Sequence, residues 1–89
     1  MNDTLENWRK EIDALDKELL EIVAKRMDIV RKIGELKKLK NLPALDEERW
    51  QEVLSSKLTL AEFLKLPKTF VEKIYTIIHE EALKIEEDK

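Results

Sequence analysis

The stretch LENWRKEIDALDKELLEIVAKRMDIVRKIGELK, residues 5–37, decides the fold. Apolar side chains recur at Leu5, Trp8, Ile12, Leu15, Leu19 and Ile22, then at Ile29, Ile33 and Leu36. The steps alternate between three and four residues, which lays them along one face of a single long helix. One slot in that face breaks the pattern, because Arg26 stands between Ile22 and Ile29. An always-charged guanidinium on an apolar face is costly unless an anion meets it. Either Arg26 sets register between packed helices, as isolated polar seam residues do, or it meets a carboxylate of the protein or of a ligand.

Two further cations bear on that choice. Lys37 lies eleven residues beyond Arg26, about three turns and about 16 Å along the axis, so it projects from nearly the same side. Both side chains are long enough to lean inward and leave a gap the size of a small dianion. Arg9 lies seventeen residues before Arg26, about 25 Å away and about 100° round the helix. It cannot join that site from the same helix, but it can join from a second copy.

The chain of 89 residues suffices for one small domain, 1–89. It has no cysteine, so a disulfide-stapled secreted module is not expected. The opening MNDTLENWRK is polar and charged, without an apolar run of signal-peptide or membrane length. The expected location is the cytoplasm, with no membrane partner. Charged residues make up 42% of the chain with both signs interspersed and a net charge of −3, which argues against nucleic acid as a partner. One glycine, two prolines and no strand-like alternation read as all-α.

Three helices are expected. The first runs from about Thr4 to Lys40, capped by Asp3 or Thr4, and stops at Asn41-Leu42-Pro43. Its internal Gly34 costs about 1 kcal/mol relative to alanine and is read as permitting close packing. The second starts after Asp46, a good cap with Glu47 and Glu48 in its first turn. Thr59 and Glu62 could form a new capping box that breaks or kinks it. Leu60, Phe63 and Leu64 should be buried in either case. The third follows Pro67 or starts at a box of Thr69 and Glu72, and ends near Asp88. The terminal Glu86-Glu87-Asp88-Lys89 is read as a fraying end. A first helix about 55 Å long cannot be covered end to end by the two shorter ones. The expected assembly is an intertwined two-fold homodimer, in which an antiparallel pairing carries Arg9 of one copy towards Arg26 and Lys37 of the other.

Candidate chemistry is narrow. Arg49 lies beside Trp50 at the edge of the second apolar face. Glu86 continues the row Val71, Tyr75, Ile78, Ala82 at helical spacing; it either faces inward or lies solvated at the helix end. A desolvated glutamate tends to keep its proton and can then donate a hydrogen bond. There is no Ser/His/acid constellation, metal-ligand spacing or glycine-rich phosphate loop. His79, the single histidine, reads as structural, and Trp8 and Trp50 as core anchors. What remains is a cationic pocket with one acid, suited to holding a small dicarboxylate in one conformation and stabilising charge that develops on an oxygen.

The segments WRKEIDALDKELLEIVAKRMDIVRKIGELK, LPALDEERWQEVL and FVEKIYTIIHEEALKIE resemble the all-helical class of chorismate mutases over nearly the whole chain. ERWQEVL and IIHEE look most like the mutase domains associated with an aldolase of the aromatic pathway. The resemblance implies a homodimer with two composite sites, no cofactor and no metal. It implies that Arg26 and the partner copy's Arg9 bind the two carboxylates of chorismate, with Arg49 assisting. Lys37 and Glu86 would flank the ether oxygen whose bond breaks in the rearrangement to prephenate. The family often has glutamine where Glu86 stands, so activity should fall as the pH rises and Glu86 loses its proton. Trp50 stands where many members carry a glutamate that contacts the substrate hydroxyl, although the fused relatives tend to have tryptophan. Asp46 or a nearby backbone group would then serve the hydroxyl. Ala82 stands where serine is common, which implies a weaker contact there.

Two other readings fit the same pattern. An isochorismate-pyruvate lyase shares the expected fold and resembles the RMD and IIH segments. A non-catalytic helical dimer that regulates a partner enzyme, such as the pathway aldolase, would keep the seam but would not need Arg9, Arg26, Lys37 and Arg49 together.

Overall fold

A computed structural model describes residues 3–87 of the chain. They form three helices, α1 (Asp3–Leu39), α2 (Glu47–Phe63) and α3 (Lys68–Glu87), with no strand among the described residues. The all-α reading holds. The molecule is a long spar with a hairpin on one end, 61 × 26 × 15 Å.

Each boundary has a local cause. Past α1, Asn41 takes φ 57°, and the N–H groups of Asn41 and Leu42 donate to the carbonyls of Lys38 and Lys37. This is a Schellman ending with asparagine in the left-handed position. Asp46 caps α2, its Oδ1 accepting from the Arg49 N–H at 3.1 Å. A second Schellman turn ends α2, with Lys65 at φ 62° and the Leu66 N–H donating to the Ala61 carbonyl. The Pro67 carbonyl accepts the Val71 N–H at the head of α3.

Three expectations need correction, and of the two starts read for α3 the one after Pro67 holds. Thr59 and Glu62 form no capping box, and α2 runs through them unbroken. The Thr59 hydroxyl donates back to the Ser55 carbonyl, a bond that needs the helix to continue. Thr69 is inside α3, which starts after Pro67. α1 already includes Asp3 and Thr4, so its cap position precedes both and lies outside the described residues. The end at Glu86-Glu87 is helical, not frayed, while Asp88 and Lys89 lie outside the described residues.

The largest departure concerns burial. Leu60, Phe63 and Leu64 are exposed, Phe63 by 82%. Among the described residues the buried apolar core of one chain is Val30, Ala61 and Val71. α3 packs against both other helices, whereas α1 and α2 do not pack on each other. At about 1.5 Å per residue, α3 can cover only about 30 Å of α1, and it covers the C-terminal half, where Val30 and Gly34 are buried. The N-terminal half of the seam, Leu5, Trp8, Ile12, Leu15, Leu19 and Ile22, faces outward. So does a second apolar face at the α2–α3 end, Leu60, Phe63, Leu64 and Phe70.

Candidate active site

The cavity lies where the C-terminal half of α1, the segment before α2, and α3 converge. Its volume is about 510 Å³, within the usual range for a small-molecule site. α1 contributes Arg26, Ile29, Val30, Ile33 and Lys37, whose steps of three and four, with Val30 beside Ile29, keep them on one face. α3 contributes Tyr75, His79, Ala82, Leu83 and Glu86 by the same periodicity. Ala44, Asp46, Arg49, Trp50 and Val53 close the third side. Seven of the eight residues read as candidates from sequence therefore meet here: Arg26, Lys37, Asp46, Arg49, Trp50, Ala82 and Glu86. Arg9 is exposed and not among the lining residues, as the helix geometry requires for a single copy.

The polar groups fall into two sets. Lys37 Nζ donates to Glu86 Oε1 at 2.6 Å and to the Ala44 carbonyl, also at 2.6 Å. The Schellman turn makes this possible, because it folds the chain back until Ala44 reaches the last turn of α1. The Lys37 and Glu86 side chains are only 20% and 10% exposed, so the pair is held in a largely dry corner. Glu86 thus faces inward, as its row on α3 indicated. Arg26 and Arg49 form the other set. Arg26 is half-buried, yet no carboxylate pairs with it among the described residues. Arg49 pairs only loosely with Glu52, at 3.4 Å, with both side chains well exposed; such a pair contributes little and is easily exchanged. Asp46 lends one oxygen to its cap and keeps the other free to accept.

His79 was not legible as a site residue. Its imidazole stacks on the Trp50 indole with centroids 4.0 Å apart and planes 8° from parallel. The pair fastens α2 to α3 and forms part of the cavity wall. The spacing His79, Ala82, Glu86 carried the signal, since it puts all three on one face. A stacked pair of this kind is worth about 1 kcal/mol. His79→Ala is therefore expected to lower unfolding free energy by about that much in urea titration, with a several-fold loss of substrate affinity as Trp50 loses its support. An unchanged midpoint and affinity would count against any role for the stack. No grouping of three or more potential metal ligands occurs among the described residues, and none of their helices is long and apolar enough to cross a membrane.

An all-helical chain that brings three basic side chains, Arg26, Lys37 and Arg49, and two acidic ones, Asp46 and Glu86, to a single cavity is of a class built to hold small polar molecules. Residues 8–87 match the chorismate mutase type II family, and the chain belongs to it. It is 36% identical over 81 residues to the T-protein of Enterobacter agglomerans, covering 91% of this chain and 22% of the relative. It is 34% identical over 76 residues to the bifunctional chorismate mutase/prephenate dehydratase of Buchnera aphidicola, covering 85% and 20%. To the 4-amino-4-deoxychorismate mutase of Streptomyces pristinaespiralis it is 30% identical over 86 residues, covering 97% and 67%. The chain thus spans about a fifth of the T-protein and dehydratase relatives and about two thirds of the third.

Proposed function

We propose that this chain is a chorismate mutase that isomerises chorismate to prephenate for phenylalanine and tyrosine synthesis in the cytoplasm. The observation that carries the reading is Arg26, a half-buried residue that lines the cavity with no carboxylate partner among the described residues. A cation so placed calls for an anionic ligand. The reaction is internal to the substrate: the ether C–O bond breaks as a new C–C bond forms, and no group leaves. The protein then needs only to hold one conformer and stabilise charge at the ether oxygen. Arg26 would clamp one carboxylate bidentately, with Arg49 assisting, and Lys37 would donate to the ether oxygen. Asp46 would take the hydroxyl, beside the wall formed by Trp50 and Ala82.

The active form in this proposal is a homodimer. The uncovered N-terminal seam of α1 and the apolar α2–α3 end each lack a partner within one chain. Laying the first on the second copy's α2–α3 end would cover both, at about 1.5–3 kcal/mol for each large side chain fully buried. It would also bring Arg9 of the partner copy to the second carboxylate. Association with an aromatic-pathway aldolase rests on the ERWQEVL and IIHEE segments, and co-elution of the two proteins tests it.

The test is turnover of chorismate by the purified protein with prephenate as product, assayed beside isochorismate and 4-amino-4-deoxychorismate. Pyruvate released from isochorismate, with chorismate untouched, would favour the lyase. A folded protein that consumes none of the three would leave the regulatory dimer.

Glu86 accepts from Lys37 in the ion pair, which places its carboxyl beside the group that would donate to the ether oxygen. Glu86→Gln keeps the shape and supplies an N–H donor, so it should retain or raise turnover, whereas Glu86→Ala should lose it. An alanine variant as active as the parent would remove Glu86 from the site.

A further inference from the structure

Gly34 is the only glycine in the chain. It lies inside α1, is buried, and faces the last turn of α3. A Cβ placed there would stand 3.1 Å from the Cα of Glu86, 3.3 Å from its Cγ and 3.5 Å from its Cβ. All three neighbours belong to one residue, and the nearest is backbone. A flexible side-chain tip could swing aside, but a helix backbone can only be pushed back. The missing side chain at position 34 therefore sets how closely the end of α3 approaches α1.

Glu86 hangs from that point of closest approach. Its Oε1 reaches Lys37 Nζ at 2.6 Å, and Lys37 is three residues beyond Gly34, on the adjoining turn. We propose that Gly34 is a positioning residue for the Lys37–Glu86 pair: its bare backbone seats α3 at the depth from which the Glu86 carboxyl meets Lys37 at the cavity. As a statement about catalysis this rests on the mutase reading above; as a statement about geometry it does not. Glycine weakens a helix interior relative to alanine. Gly34→Ala thus gives α1 a better helix former, while the contact at 3.1 Å requires α3 to yield by a few tenths of an ångström.

The experiment is a double-mutant cycle on kcat and KM with Gly34→Ala, Glu86→Ala and the pair, joined to a crystal structure of Gly34→Ala. Small misplacements of reacting groups lower rates steeply, up to about 10²-fold for 1 Å. Gly34→Ala alone should lower kcat by about 4- to 10-fold, with KM within about twofold, since the carboxylate clamp is untouched. In the Glu86→Ala background the same change should alter kcat by less than about twofold, because the group it displaces is gone. The crystal structure should show the Lys37–Glu86 separation lengthened. Equal losses in both backgrounds, or failure to fold in both, would make Gly34 a packing residue only and overturn the proposal. So would full kcat, or an unchanged Lys37–Glu86 distance, in Gly34→Ala. If the parent itself leaves chorismate untouched, the mutase reading fails, and the crystallographic distance still decides the positioning role.

Discussion

Arg26→Ala is expected to lower kcat/KM for chorismate by about 10²–10³-fold, the range for removing one preorganised donor from a site of this kind. Its melting temperature and oligomeric state should stay unchanged or improve. The second half of that expectation separates the roles open to this residue. A seam arginine that fixes register would alter assembly when removed. An arginine paired with a protein carboxylate would leave a buried charge uncompensated and destabilise the fold. The second situation does not hold, because Arg26 has no carboxylate partner among the described residues and lines the cavity; the oligomeric state of Arg26→Ala decides the first. Arg26 also borders a small second cavity with Val23, Met27 and Val30 of α1 and Ile78 and Ala82 of α3, so its immediate surroundings are apolar. Removing a desolvated cation that the fold itself does not use should relieve the ligand-free protein. Arg26→Lys keeps the charge but loses the planar fork and should fall between parent and alanine. Steady-state kinetics with thermal melts of the three proteins decide the matter. Activity within a few-fold of the parent in Arg26→Ala would remove the guanidinium from the site.

Much of this site was legible because helical spacing is a strict code. Arg26 and Lys37 could be placed on one side of α1 from their separation alone, and the row Val71, Tyr75, Ile78, Ala82 pointed Glu86 inward before any coordinates. Asp46 followed from capping chemistry. The failures share a cause: local sequence permits two outcomes and tertiary contacts choose. Thr59 can cap a new helix or bond back to Ser55 within the old one, and both satisfy its hydroxyl. The continuous helix also brings Ala61 to 2% exposure, a gain not visible from Thr59 and Glu62. His79 carried no partner in its neighbourhood, since Trp50 is on another helix. Leu60, Phe63 and Leu64 show a third limit. Hydrophobicity states that a side chain requires cover, but it does not say that the cover comes from the same chain.

Mixing two inactive variants should restore activity. Arg9→Ala and Arg26→Ala are each expected to lose about 10²-fold or more as pure proteins, since each removes one carboxylate clamp from both sites. In the proposed dimer each site takes Arg26 from one copy and Arg9 from the other. After co-refolding in equal amounts, about half the dimers are mixed. A mixed dimer has one site with both arginines intact and one with neither. The mixture should therefore reach about a quarter of parental activity, far above either variant. This figure follows only from sharing across two copies. If both arginines served a site within one chain, every site would lack one of them and mixing would restore nothing. The geometry argues against that arrangement, because the two residues are about 25 Å apart along one continuous helix and Arg9 is outside the cavity. Recovery near a quarter would establish the composite site without a structure of the dimer. Two inactive variants that stay inactive after verified subunit exchange would show that the site is not shared between copies, and an Arg9→Ala protein with full activity would show that the second carboxylate is held by something other than Arg9. Arg49, already at the cavity with only a loose partner in Glu52, would be the residue to substitute next.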